Sequence, residues 1–132
     1  MNETPAYLFL CDQETEKECL TRNLMGCPQA NAVWALNIRP GDSIYLLNFN
    51  TRIVRGPYLA ASSADCYEPS AWRGKFPIQV RVTGTGFTKM ADCLTPGTPS
   101  VLLRKRPVHA LGSAAGELFR WIQDHGKTIS EA

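Results

Sequence analysis

The run Tyr7-Leu8-Phe9-Leu10-Cys11 constrains this chain more than any other stretch, because it is apolar at every position. A strand with one wet face alternates apolar and polar residues, so a run without a polar position has to be covered on both faces. It falls far short of the roughly 20 residues needed to cross a bilayer, as does the other continuous stretch, residues 44–47. The run therefore predicts a central strand with structure packed above and below it.

The residues that follow predict a helix. Thr15-Glu16-Lys17-Glu18 has the form of a capping box, Cys19, Leu20 and Leu24 give a narrow apolar stripe, and Gly26 followed by Pro28 supplies a stop. Residues 32–38 read as a short helical turn ending at Arg39-Pro40-Gly41-Asp42, where Pro fixes one dihedral and Gly accepts a positive one. Residues 43–49 and 53–60 flank Asn50-Thr51-Arg52 as an antiparallel hairpin, with Pro57 at an edge or a bulge because it cannot donate to a ladder. A strand is expected at residues 76–82, alternating from Ile78 onward, and another at 100–103. Leu111, Ala114, Ala115, Leu118, Phe119 and Ile122 fall on one helical stripe, with Ser113 as a cap and Gly126 beyond the end. Non-local strands with a helix after the first and another at the end make an α+β domain, a curled sheet or small barrel with helices packed on it. The 132 residues are expected to form one domain, 1–132.

Charge is unevenly divided. The net value is +2, yet residues 1–38 carry two bases and five acids, residues 39–106 ten bases and four acids, and residues 107–132 two bases and three acids. Arg39, Arg52, Arg55, Arg73, Lys75, Arg81, Lys89 and the run Arg104-Lys105-Arg106 can assemble one positive face of the kind phosphate contacts need. The alternative is a set of solvated residues scattered round the domain.

Catalytic signals are weak. His109 and His125 have no nucleophile elbow, phosphate-binding glycine loop or metal-ligand spacing to accompany them, and Gly84-Thr85-Gly86 is only a glycine-containing turn. The five cysteines, Cys11, Cys19, Cys27, Cys66 and Cys93, include no C-x-x-C pair and read as small buried hydrophobes. A non-enzymatic protein without metal or cofactor is expected. Met1-Asn2-Glu3-Thr4-Pro5 lacks a basic segment followed by an apolar one, so the expected location is cytoplasmic, or nuclear in a eukaryote, without membrane association.

Taken in order, the motifs resemble the PUA-like superfamily, and within it the DCD (development and cell death) and EVE domains, with the YTH domain as a relative. Lys17-Glu18-Cys19-Leu20, Met25-Gly26-Cys27-Pro28, Tyr45-Leu46-Leu47-Asn48-Phe49 and Pro77-Ile78-Gln79-Val80-Arg81 resemble the successive DCD motifs. Ile38-Arg39-Pro40-Gly41-Asp42 is similar to a turn of EVE proteins, and Trp72-Arg73-Gly74-Lys75-Phe76 to the Trp-Lys-Gly-Arg-Phe of YTH domains. The resemblance runs from about residue 7 to about residue 82 and implies a PUA-like curled, antiparallel or mixed β-barrel with flanking helices.

It also implies nucleic-acid binding, and in the EVE and YTH relatives recognition of a modified base flipped into an aromatic pocket. Such a base needs flat walls, worth about 1 to 3 kcal/mol per aromatic contact, and a few polar atoms to read its edge. Trp34 and Trp72 are the available walls, and Met25 stands where EVE domains have an aromatic. Asn48 and Asp12 are the candidate edge readers, Ser62 and Ser63 the rim, and Arg39, Arg73, Lys75 and Arg81 the phosphate contacts. Trp34, in an apolar run, reads more often as core than as pocket, and Asn48 reads also as a turn residue. Trp72 sits among Ser70, Arg73 and Gly74, which read as exposed loop. Trp121 is assigned to helix packing. The partner expected is RNA or modified DNA. The alternative is a DCD-type protein-interaction module of stress or cell-death signalling.

Overall fold

The computed structural model describes residues 5–84, 88–93, 97–99, 102, 108–110 and 113–129. Its strands are β1 (Ala6–Cys11), β2 (Leu24–Cys27), β3 (Ser43–Asn48), β4 (Ile53–Ala60), β5 (Ile78–Thr83), β6 (Lys89–Asp92), β7 (Val108–Ala110) and β8 (Lys127–Thr128). The α-helices are α1 (Gln13–Arg22), α2 (Ala32–Ala35) and α3 (Ser113–His125), with 3-10 turns at Gln29–Asn31 and Ala71–Gly74. The strands form one mixed sheet in the order β2-β5-β4-β3-β1-β7, with β6 on β4 and β8 on β6. It is an α+β fold whose sheet curls without closing: the ladder path ends at β2 and β7.

β1 is central, parallel to β3 and antiparallel to β7. Its alternate residues feed two cores. Tyr7, Phe9 and Cys11 enter the larger one, inside the curl with Leu24, Met25, Ile44, Leu46, Trp72 and Val80. Ala6 and Leu8 enter the second, with Tyr45, Leu47, Val54 and the buried side of α3, Leu118, Trp121 and Ile122. A run without polar positions was the signature of this two-sided burial.

α1 begins three residues earlier than the Thr15–Glu18 box implies. Asp12 is the N-cap: its Oδ1 accepts the Thr15 amide at 2.8 Å while the Thr15 hydroxyl accepts the Asp12 amide at 2.9 Å. Asp ranks at least level with Thr as an N-cap and stands where the strand ends, so it takes the role. The helix stops at Asn23, whose left-handed φ of 51° lets its amide donate to the Cys19 carbonyl. That early stop frees residues 24–27 from the expected helix tail, and they become β2, paired antiparallel with β5.

Pro57 lies at the expected irregularity: the β3–β4 register slips between Ile44 and Leu46. Of the strand expected at 100–103, only Leu102 is described, in a one-turn bond to the Pro99 carbonyl. The remainder lies outside the described residues, as do Arg104, Lys105, Arg106 and Leu111. Phe119, expected on the buried stripe of the last helix, is exposed, while Trp121 is buried and stacks on His125 with centroids 5.2 Å apart. Four of the five cysteines are buried and Cys66 is exposed. Burial pushes the thiols of Cys19 and Cys27 up to about 12 and that of Cys93 up to about 11.

Candidate functional site

The loop between β4 and β5 carries most of the candidate site, and Gln79 fixes its shape. Gln79 is 1% exposed although it sits at a position where alternation along β5 points to solvent. Its Oε1 accepts the amides of Tyr67 and Glu68 at 2.9 and 2.7 Å, and its Nε2 donates to the carbonyls of Glu68 and Phe76 at 3.0 Å each. A primary amide has two donors and two acceptor sites, and here all four are used on loop backbone.

Within that loop three consecutive residues have positive φ: Trp72 (50°), Arg73 (57°) and Gly74 (79°). Each non-glycine residue in this conformation costs about 1–2 kcal/mol, so the turn needs fixed partners. Glu18 of α1 supplies one, its Oε2 accepting the Trp72 amide at 3.0 Å, and the Thr15 carbonyl accepts the indole Nε1–H at 3.1 Å. The backbone amides of Ala71, Arg73 and Lys75 close successive turns onto Glu68, Ser70 and Trp72.

This geometry corrects the expectation that Trp72 stands in an exposed loop. The left-handed turn sends the indole inward, 3% exposed, edge-on to Phe76 at 5.3 Å, and lifts Arg73 and Lys75 outward. Between them and α1 lies a cleft of about 410 Å³ lined by Glu14, Thr15, Glu18, Trp72, Arg73 and Lys75. Its charge is mixed, two carboxylates facing two cations. Among the described residues neither Arg73 nor Lys75 forms a salt bridge; the Lys75 ammonium lies 5.6 Å from the Phe76 ring centroid.

The other sequence-selected residues distribute as follows. Asp12 caps α1 beside this cleft, and its carboxyl is held below its ordinary value chiefly by the Thr15 amide, against partial burial, with help from the Thr15 hydroxyl, the Glu14 amide and the Lys75 charge. Asn48 is buried and its Oδ1 accepts the amides of Asn50 and Thr51, which shapes the β3–β4 turn. Met25 is buried on β2 and lines a second recess of about 230 Å³ between α1 and β4. Ser62, Ser63 and Arg81 meet at the far end of the loop: the Ser62 hydroxyl accepts the Arg81 amide, and the Ser63 carbonyl accepts the Tyr67 hydroxyl. Trp34 is half-buried on α2, stacked on Tyr7 at 5.8 Å and 16° and edge-on to Phe9. Arg39 is exposed close enough to Tyr7 to act on its phenol, whose pKa burial and Asp42 raise and Arg39 lowers.

The continuous basic face divides. Arg81 pairs with Glu68 at 3.9 Å and lies over the Tyr67 ring, Arg55 pairs with Glu16, Arg52 donates to the Leu102 carbonyl, and Lys89 donates to the Gln123 carbonyl. Arg39, Arg73 and Lys75 remain as exposed cations without a salt bridge among the described residues. Sequence reading missed Glu14, Glu18 and Gln79. The acids belong to a helix face that reads as solvated, and Gln79, although part of the Pro77-Ile78-Gln79-Val80-Arg81 motif, gives no sign in the sequence of what its side chain holds. Among the described residues no helix is long and apolar enough to cross a membrane.

The fold is similar to that of the YTH domain of Mmi1, solved as a complex with RNA, at a TM-score of 0.65 and 10% identity, covering 93% of this chain and 83% of that one. In sequence the chain is 37% identical over 90 residues to the B2 protein of Daucus carota, covering 61% of this chain and 44% of that protein. It is 37% identical over 84 residues to the DCD domain-containing protein NRP-B of Glycine max, covering 58% of this chain and 26% of that protein. To the DCD domain-containing protein NRP of Arabidopsis thaliana it is 35% identical over 89 residues, covering 61% and 26%. The match thus spans less than half the length of each of these relatives. The model of the development and cell death domain matches residues 5–94, and the chain belongs to that family.

Proposed function

We propose that this chain is a non-enzymatic nucleic-acid-binding module that holds a single-stranded segment along the face bearing Arg73 and Lys75. The observation that carries this reading is the strained turn at residues 72–74, at which Arg73 and the adjoining Lys75 stand exposed, without a salt bridge among the described residues, over a cleft of about 410 Å³. Backbone in a sparsely populated conformation persists where its surroundings over-determine it, and such residues concentrate at ligand clamps. The Mmi1 domain of similar fold was solved with RNA, which supports the same class of partner.

The charges sort the contacts by chemistry. Glu14 and Glu18 repel phosphates from the cleft wall, so the backbone of the ligand belongs on the outer rim with Arg73 and Lys75, and with Arg39 where the strand extends. Carboxylates accept N–H bonds from the amino groups of bases, which places a base edge toward α1, with Asp12 beside it. Selectivity for a modified base belongs to the same proposal. Trp72 contributes only the sliver of indole at the cleft floor, and Trp34, half-buried on Tyr7, has the better-exposed ring for stacking. Titrating labelled single-stranded RNA and DNA against the protein at several salt concentrations tests the proposal. Binding that weakens steeply with salt supports it, and no binding at low salt contradicts it.

A second reading, a protein-interaction module, is favoured by one observation. Val33 on α2 and Leu36 just after it are 87% and 61% exposed, an apolar pair at the end of a short helix. An interface built on them is apolar and responds little to salt, which separates the two readings.

A further inference from the structure

The second recess, about 230 Å³, has the chemistry of a ligand site unconnected with the cleft at Trp72. Leu20, Met25, Val82 and Ile129 give it apolar walls, and Arg55 and Tyr58 of β4 bring polar groups to it. The guanidinium of Arg55 has five N–H donors. They reach Glu16 only at 3.5 Å and the weakly accepting sulfur of Met90 at 3.6 Å. Among the described residues the Tyr58 hydroxyl makes no hydrogen bond, although the residue is 9% exposed. A half-buried cation and a buried phenol with unused donor capacity, set in an apolar recess, call for an acceptor that brings an apolar body with it.

The geometry points to a binding site for a small monocarboxylate with a short hydrocarbon chain, its carboxylate on Arg55 and Tyr58 and its chain along Leu20, Met25, Val82 and Ile129. The planar fork of an arginine matches a carboxylate with two parallel bonds. Arg55 already faces Glu16, so any ligand anion adds uncompensated charge beside that carboxylate, one unit for a monocarboxylate and two for a phosphate dianion, which disfavours the dianion. The volume is below the roughly 300–1,000 Å³ of drug-sized sites, so the ligand is short. Tyr58 is held above its ordinary pKa chiefly by burial, with Arg55 opposing, and so stays a donor at neutral pH.

Hexanoate is the probe, followed by the amide resonances of the whole chain in two-dimensional NMR, with hexanamide as its uncharged isostere. The expected result is a saturable shift at Leu20, Tyr58, Val82 and Ile129 with hexanoate, about tenfold weaker for hexanamide and for Arg55→Gln. Leu20→Trp, at a residue 36% exposed on the recess wall, is expected to abolish the shift with the fold retained, and stands in if Arg55→Gln does not fold. Equal binding of the two probes, absence of a saturable shift, or an undiminished hexanoate response in Leu20→Trp overturns the site.

Discussion

The indole of Trp72 occupies the space that Gly26 leaves open: a Cβ on Gly26 would stand 2.6 Å from Cζ3 of that ring and 2.8 Å from the Cβ of Phe76. The glycine that resembles a helix stop in the sequence is therefore a strand residue selected by contact. Gly26→Ala is expected to destabilise the fold by about 1–3 kcal/mol, because ring and strand are both backed by packed core. Urea unfolding checks it, and Trp72→Leu in the same background should recover part of the loss. A neutral Gly26→Ala would mean that the indole does not sit there.

Removing the Gln79 amide leaves two loop amides and two loop carbonyls without their partner. Gln79→Leu is expected to cost at least about 2 kcal/mol, since each buried group left unsatisfied costs roughly 1–3 kcal/mol. Hydrogen exchange at Tyr67 and Glu68 should accelerate in that variant more than exchange along β1. Uniform protection across the loop would contradict the clamp.

How much of this was legible in the sequence follows from where each signal lives. Two-sided burial of β1 and the hairpin of β3 and β4 were readable because their patterns are local. The end of α1 was misplaced because Asn23 and Gly26 are both permissive C-terminal residues, and only the pairing of β2 with β5 decides between them. β6, β7 and β8 have two to four residues each, too few for a periodic pattern, and exist because β1, β4 and one another offer an edge. At the candidate site Arg73 and Lys75 were readable as exposed cations. The inward turn of Trp72 was not, since it depends on Glu18, 54 positions away in the chain.

The buried thiols make stability fall in alkali. Cys19, Cys27 and Cys93 titrate from about 9 when unfolded to about 12, about 12 and about 11 when folded. A raised folded value means that the folded state keeps the proton longer, so the contribution is complete below about pH 9 and is lost progressively as pH rises from there toward 11–12. Melting temperature should hold between about pH 7 and 8 and drop beyond about pH 9. A thiol reagent at neutral pH should label Cys66 first, because it alone of the five is exposed. Rapid labelling of Cys19 in the folded protein would contradict this burial.

Loss of the α1 cap has a defined cost. Asp12→Ala removes the acceptor of the Thr15 amide and is expected to destabilise by about 1 kcal/mol, with Asp12→Asn or Asp12→Ser retaining most of it. Thermal unfolding of the three variants checks the order.

The salt dependence of binding to a short single-stranded oligonucleotide, compared between the wild-type chain and Arg73→Ala/Lys75→Ala, tests the central claim most directly. Each cation that neutralises a phosphate on a single strand contributes about 0.7 to the slope of log affinity against log salt. The double variant is expected to bind more weakly with a slope shallower by about 1.4. An identical slope in the two proteins would remove these cations from the interface, and with them the proposed function.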